Sequence, residues 1–270
     1  MRKLWIAVVA GVVAAVSVAG VASAENTYEV DIASGGPGMT PGSPSKPFPS
    51  FLNFGYEVDD TQDLRPSVIN QYFIAAEGIK YFPDARPTCT FAQADEAPAF
   101  DRACRKAIVG SGSIANEFGA SADRTQKGPC DVKLTLINIS TGSDGATTRQ
   151  IRREGGMAIR IDSIQGRCPI PVHGALAAPM YDIRLGGVPT SELRFRVPDT
   201  LTHPAPAVDN SVIDVVSRVR RVTGRVKVRG KTRRVGFASA VGRKGRQRTV
   251  RVTFVDETNR RFTATTTYPR

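Results

Sequence analysis

The sequence predicts an all-β chain, an antiparallel β-sandwich of jelly-roll-like or immunoglobulin-like type with few short helices. Three observations carry that expectation. Short runs alternate apolar and polar residues with a period of two, Gly, Pro, Asn and Asp clusters separate them, and helix start signals are sparse. With 270 residues, 41% hydrophobic and 23% charged, the chain is long enough for a substantial core and has globular rather than disordered composition.

Residues 1–24 read as a secretory signal. Arg2 and Lys3 start it, an uncharged apolar run follows, and Ala22-Ser23-Ala24 supplies the small residues of a cleavage site. The run is rich in Ala and Gly and only weakly hydrophobic, which favours cleavage over a retained anchor. No second stretch is apolar and long enough to span a bilayer, so the expected product has no integral membrane span and lies outside the cell or on the envelope exterior. Cleavage would also remove Trp5, the single tryptophan, which counts against a tryptophan-faced sugar platform.

Residues 25–50 are expected to hold one strand and a linker. Tyr28, Val30 and Ile32 alternate with Thr27, Glu29 and Asp31, and a Gly- and Pro-rich stretch then sustains neither helix nor ladder. The sandwich region is placed at 51–270. Its first strand, 51–59, puts Leu52, Phe54, Tyr56 and Val58 on one face. Further strands are expected at 68–75, 132–139, 157–161, 181–185 and 193–197, with Gly142-Ser143-Asp144-Gly145 and Gly186-Gly187 as turns. Residues 97–108 read as a short helix carrying Cys104. In 212–222 the valines fit helical spacing, but β-branched side chains favour a strand. Alternation returns at 225–229, 250–254 and 262–266, with a hairpin turn at 256–259.

In an oxidising compartment Cys89, Cys104, Cys130 and Cys168 form an even set with three possible pairings. Sequence order favours Cys89 with Cys104 and Cys130 with Cys168. Loops of about 15 and about 40 residues would each contribute about 3 to 4 kcal/mol in the chain-entropy view. Zinc is disfavoured because no C-x-x-C spacing occurs.

The run from Cys104 to Gly112, with Val109-Gly110-Ser111-Gly112, resembles a cysteine-to-glycine strand motif of exported bacterial β-rich proteins to which no function is assigned. Pro-Thr-Cys-Thr-Phe at 87–91 and Arg-Thr-Val-Arg-Val-Thr-Phe at 248–254 are similar in character. The resemblance spans about half of the mature chain and carries no catalytic residues. It implies an exported, disulfide-bonded β protein.

Catalytic signals are thin. No G-x-S-x-G elbow occurs, and the two histidines, His173 and His203, sit among prolines, a setting of structural loop residues. Glu57 and Asp59 share a strand face and are similar to part of the E-x-D-x-E strand of jelly-roll glucanases, but Thr61 and Gln62 stand where a third acid belongs. Glu57, Asp59, Asp60 and Asp63 lack the regular spacing of a calcium loop. Phosphate-binding glycine loops are absent, so no nucleotide and no cofactor is expected. Asn138-Ile139-Ser140 matches a glycosylation sequon at a strand end.

Charge is the most informative remaining feature. The formal net charge is +12, yet residues 211–270 hold 17 Lys and Arg against 3 Asp and Glu, a net +14, while residues 25–210 are net −4. Arg225, Lys227 and Arg229 share a strand face, and Arg243, Lys244, Arg246 and Arg248 follow in a Gly-containing loop. These seven residues are the candidate binding set, and the basic strands 211–270 are a candidate second sheet or subdomain. The expected function is non-enzymatic binding of an anionic cell-envelope or extracellular polymer through this region. The alternatives are a secreted hydrolase using an atypical carboxylate site at Glu57 and Asp59, and a structural or interaction protein without a polymer ligand.

Overall fold

The computed structural model describes residues 26–34, 41–96, 102–242 and 247–268. The segment read as a secretory signal lies outside these residues.

Period-two alternation is realised along one long antiparallel sheet. Its eleven strands are β1 (Asn26–Ser34), β3 (Leu52–Asp60), β4 (Ile69–Ala76), β6 (Ile108–Ala120), β7 (Gly128–Asn138), β8 (Gly156–Ser163), β9 (His173–Leu185), β10 (Val188–Arg196), β11 (Val208–Val219), β15 (Arg248–Asp256) and β16 (Arg261–Tyr268). They pair in the order β1-β3-β11-β6-β7-β8-β9-β10-β4-β15-β16. The fold is therefore all-β, 59% strand and 12% helix. All eleven strands hydrogen-bond in one ladder, so the two-sheet division expected of a sandwich is not found in their pairing. The sheet curls until β16 lies alongside β1, giving a nearly closed barrel. Tyr28 on β1 meets Phe254 on β15 and Phe262 on β16 across that seam, at ring-centroid distances of 4.1 and 5.4 Å.

The inward rows are the apolar rows of the sequence. Leu52, Phe54, Tyr56 and Val58 on β3 are all buried, as are Val132, Leu134 and Leu136 on β7 and Val250, Val252 and Phe254 on β15. Residues between them face outward, because successive strand side chains alternate sides. On β11 the alternation breaks at Ile213, a bulge that shifts the register against β6 between Val212 and Asp214. Gly112 on β6 marks a close approach: a Cβ there would stand 2.1 Å from the Val216 carbonyl oxygen of β11.

Strand order decides what closes the two ends. From β3 to β4 and from β10 to β11 the chain must cross the same mouth of the barrel, because those strands are not neighbours. Segment 61–68 makes the first crossing. The second, 197–207, carries the single-turn helix α3 (Asp199–Thr202), whose Leu201 and Thr202 are buried. At the opposite end β2 (Phe48–Pro49), β14 (Ala238–Ala240) and β5 (Ile79–Tyr81) form a three-stranded sheet, and Phe237 beside it is fully buried against Tyr81. A separate hairpin there, β12 (Thr223–Val228) with β13 (Lys231–Gly236), rests Val226, Val228 and Val235 on Ala85 and Phe82.

Two further helices lie wholly within the described residues. α1 (Phe91–Asp95) starts at a capping box between Thr90 and Gln93, and α2 (Gly145–Glu154) is capped by Asp144, which accepts from the Thr147 amide at 2.8 Å. Residues 142–145, expected as a turn, thus open a helix. Of the helix expected over 97–108, residues 97–101 lie outside the described set. Arg102 and Ala103 are helical, a 3-10 turn occupies Arg105–Ala107, and Ile108 already begins β6. Both disulfides follow sequence order, Cys89–Cys104 and Cys130–Cys168. The first anchors α1 in a second apolar cluster with Ile137, Ile151 and Ala158 on the outside of the sheet. The pair of disulfides fits an oxidising environment. Among the described residues no helix is long and apolar enough to cross a membrane.

Candidate functional site

Eleven strands enclose more space than small eight-stranded barrels, whose interiors side chains fill. Here large side chains occupy most of it, and a cavity of about 120 Å3 remains at the centre. Its wall comes from most of the barrel strands, for example Phe54 and Tyr56 (β3), Ile114 (β6), Leu134 (β7) and Phe195 (β10), with Leu201 of α3 at one end and Tyr81 at the other.

An aromatic cluster stands on one side. Tyr56 and Phe254 meet edge to face at 5.1 Å, Tyr72 stacks on Phe195 at 4.9 Å, and Tyr56 lies 6.0 Å from Tyr72. The Tyr56 and Tyr72 hydroxyls are close enough to influence each other's ionisation. Burial dominates their ionisation: it pushes Tyr72 up to about 12 and Tyr56 well above the usual phenol range. Both remain neutral phenols, suited to packing and hydrogen bonding rather than to proton abstraction.

The polar residues of the wall are few. Asn116 and Asn210 lie diagonally across the β6–β11 ladder, where Val212 faces Asn116 and Asn210 faces Phe118. Both are buried, at 3% and 9% exposure. Asn210 Nδ2 donates to the Leu201 carbonyl at 2.8 Å, tying α3 to the barrel wall, while its Oδ1 has no hydrogen-bond partner among the described residues. Sequence reading missed both asparagines. The available signal was a polar residue inside an apolar row, Asn210 between Val208 and Val212.

Above α3 the mouth is sealed by charge. The fully buried Arg65 donates to the carbonyls of Ala120 (2.9 Å) and Gln126 (3.0 Å) and to the Asp209 carboxylate (3.1 Å). Gly119 makes room for it, since a Cβ there would fall 2.0 Å from its guanidinium. Asp209 also accepts from Ser121 Oγ at 2.5 Å and pairs with His203 Nδ1 at 3.1 Å, and His203 Nε2 contacts the Glu257 carboxylate. Partial burial opposes the charged imidazole, but the hydrogen bonds and charges of Glu257 and Asp209 outweigh it and raise the His203 pKa. His203 is thus a structural tie at the end of α3. His173, at the exposed start of β9, borders an outer groove with Asp95 and Asp144 and is not part of this network.

Glu57 and Asp59 project from the outer face of β3, away from the cavity. Register aligns Glu57 with Glu29 on β1 and Asp214 on β11, a row of three carboxylates. Desolvation raises the pKa of Asp214. Asp60 and Asp63 are engaged elsewhere, with Arg124 at 2.5 Å and Lys127 at 2.7 Å. Among the described residues no group of three His, Cys, Asp or Glu side chains is arranged to hold a metal ion.

The candidate basic set is divided by the fold. Arg225 and Lys227 are exposed on β12, facing Arg234 and Thr232 of β13, and Arg229 forms the hairpin turn with Gly230. Arg248, placed in the same loop by sequence reading, instead begins β15 and is 6% exposed beside Gly78 and Gly242, so it does not join a solvent-facing cluster. Arg243, Lys244 and Arg246 lie outside the described residues. No protein-family model, curated protein or solved structure matches the chain.

Proposed function

We propose that this chain is an exported, non-enzymatic binding protein that holds a compact apolar molecule inside its barrel. The observation that carries the reading is the central cavity of about 120 Å3, walled almost wholly by apolar side chains. Apolar cavities of about 150 Å3 stay dry and take up benzene, so a ligand on that scale suits the space. The short α3 segment over the mouth is the natural element to move on entry.

Toluene titrated against the protein and followed by NMR shifts and thermal melting tests it. Saturable binding that Ile114→Phe abolishes is expected, because the larger ring fills the cavity. Absence of saturable binding would overturn the reading.

A second reading, anionic polymer binding, is favoured by the β12/β13 hairpin, whose exposed face gathers Arg225, Lys227 and Arg234 with Arg229 and Lys231 at its tip. Retention on a polyanion column should fall steeply with salt and be lost in the Arg225→Glu/Lys227→Glu/Arg234→Glu variant. Retention unchanged in that variant would remove this reading.

A further inference from the structure

Within an apolar enclosure a polar atom without a partner is costly, which makes the asparagine at the α3 end of the cavity informative. Asn210 is 9% exposed and lines the cavity. Its amide orientation is fixed by chemistry, because only Nδ2 can donate to the Leu201 carbonyl 2.8 Å away. The oxygen is left with no hydrogen-bond partner among the described residues and has almost no accessible surface, so a donor reaches it only as α3 shifts to admit the ligand. That atom can only accept.

Resting on the interior-binding reading, we infer that the ligand is an apolar molecule carrying one hydrogen-bond donor, a hydroxyl or amine, which it presents to Asn210 Oδ1 beneath α3. The remaining wall near the centre is Ile114, Leu134, Leu176 and Val215, which cover the ligand's apolar body. Because Asn210 also ties down α3, a donor seated there completes the polar contacts of the segment that covers the entrance. Molecules of the same size that bring only an acceptor place oxygen against oxygen and are rejected.

Toluene, phenol and benzaldehyde test the inference on the wild-type protein, with affinities measured by calorimetry or NMR. Toluene binding checks the parent reading. Phenol is expected to bind about tenfold more tightly than benzaldehyde, and Asn210→Leu should bring that ratio to about one. Toluene binding with equal affinities for phenol and benzaldehyde, the result if buried water alone satisfies the amide oxygen, would overturn the inference and leave interior binding standing. Failure of all three probes to bind would overturn both. The wild-type comparison decides the matter even if the Asn210 variant does not fold.

Discussion

The Tyr28 ring on β1 stacks on the Phe254 ring of β15 at 4.1 Å and an interplanar angle of 18°, across the seam where the sheet's two ends meet. The β1 and β16 strands are not neighbours in any hydrogen-bonded ladder. Side-chain packing therefore closes the barrel at this point. Phe254→Ala should cost about 3 to 5 kcal/mol, since it empties a fully buried site touching Tyr28, Tyr56 and Tyr72. A double-mutant cycle with Tyr28→Ala in urea unfolding should give about 0.5 to 1.5 kcal/mol of coupling. Strictly additive losses would show that the seam is held by something other than this pair.

His203 gives the stability a pH dependence of predictable sign. Its folded pKa lies above the ordinary 6.5, with Asp209 on one ring nitrogen and Glu257 on the other. Raised in the folded state, it contributes stability that is fully present below about pH 6.5 and is lost as pH rises through the folded value. The melting temperature of the wild type should fall relative to His203→Gln as pH increases across that window. Parallel curves for the two proteins would show that the imidazole stays neutral in the mouth.

How far the sequence anticipates this structure depends on what alternation encodes. The rows Leu52, Phe54, Tyr56, Val58 and Val250, Val252, Phe254 state which face is buried, and those faces are buried. Alternation says nothing about which strands are neighbours. A sandwich and a curled single sheet share the pattern, so β3 pairing with β11, and β4 with β15, emerges only in three dimensions. α2 escaped because Ile151 is its single buried residue, and its cap Asp144 sits in a Gly-Ser-Asp-Gly string that reads as a turn. The basic C-terminal segment looks uniform in sequence, but the fold buries Arg248, puts Arg225, Lys227 and Arg229 on a separate hairpin, and puts Arg251 and Arg261 on the last two barrel strands. The cavity is invisible in sequence because it is a sum over strands drawn from the whole chain.

Arg65 is the most stringent polar group in the fold. It is fully buried, and its partners are the backbone carbonyls of Ala120, Asp123 and Gln126 and the Asp209 carboxylate, all at or near the mouth. Arg65→Ala would strand those acceptors together with a partly buried carboxylate. The loss should be about 3 to 5 kcal/mol. Arg65→Lys should recover little of it, because an ammonium group cannot reproduce the planar fork that reaches all four acceptors. Chemical denaturation of both variants checks this, and near-wild-type stability of Arg65→Lys would mean that charge alone, not geometry, is what the mouth requires.

The β12/β13 hairpin turns through Arg229 and Gly230, at φ of 49° and 76°, with Val228 and Lys231 as the last facing pair. Two consecutive positive φ values in a two-residue loop are the arrangement for which Asn-Gly is preferred, whereas an arginine in that region costs about 1 to 2 kcal/mol. Arg229→Asn should therefore stabilise the protein by about 1 kcal/mol. Removing a cation from beside Lys231 and Lys227 also relieves repulsion, so the two causes must be separated. At about 1 M salt the screening length falls to about 3 Å and the charge contribution shrinks, while the backbone contribution does not. A gain that persists in high salt assigns the effect to the turn; a gain that vanishes there assigns it to crowding of positive charge on the hairpin.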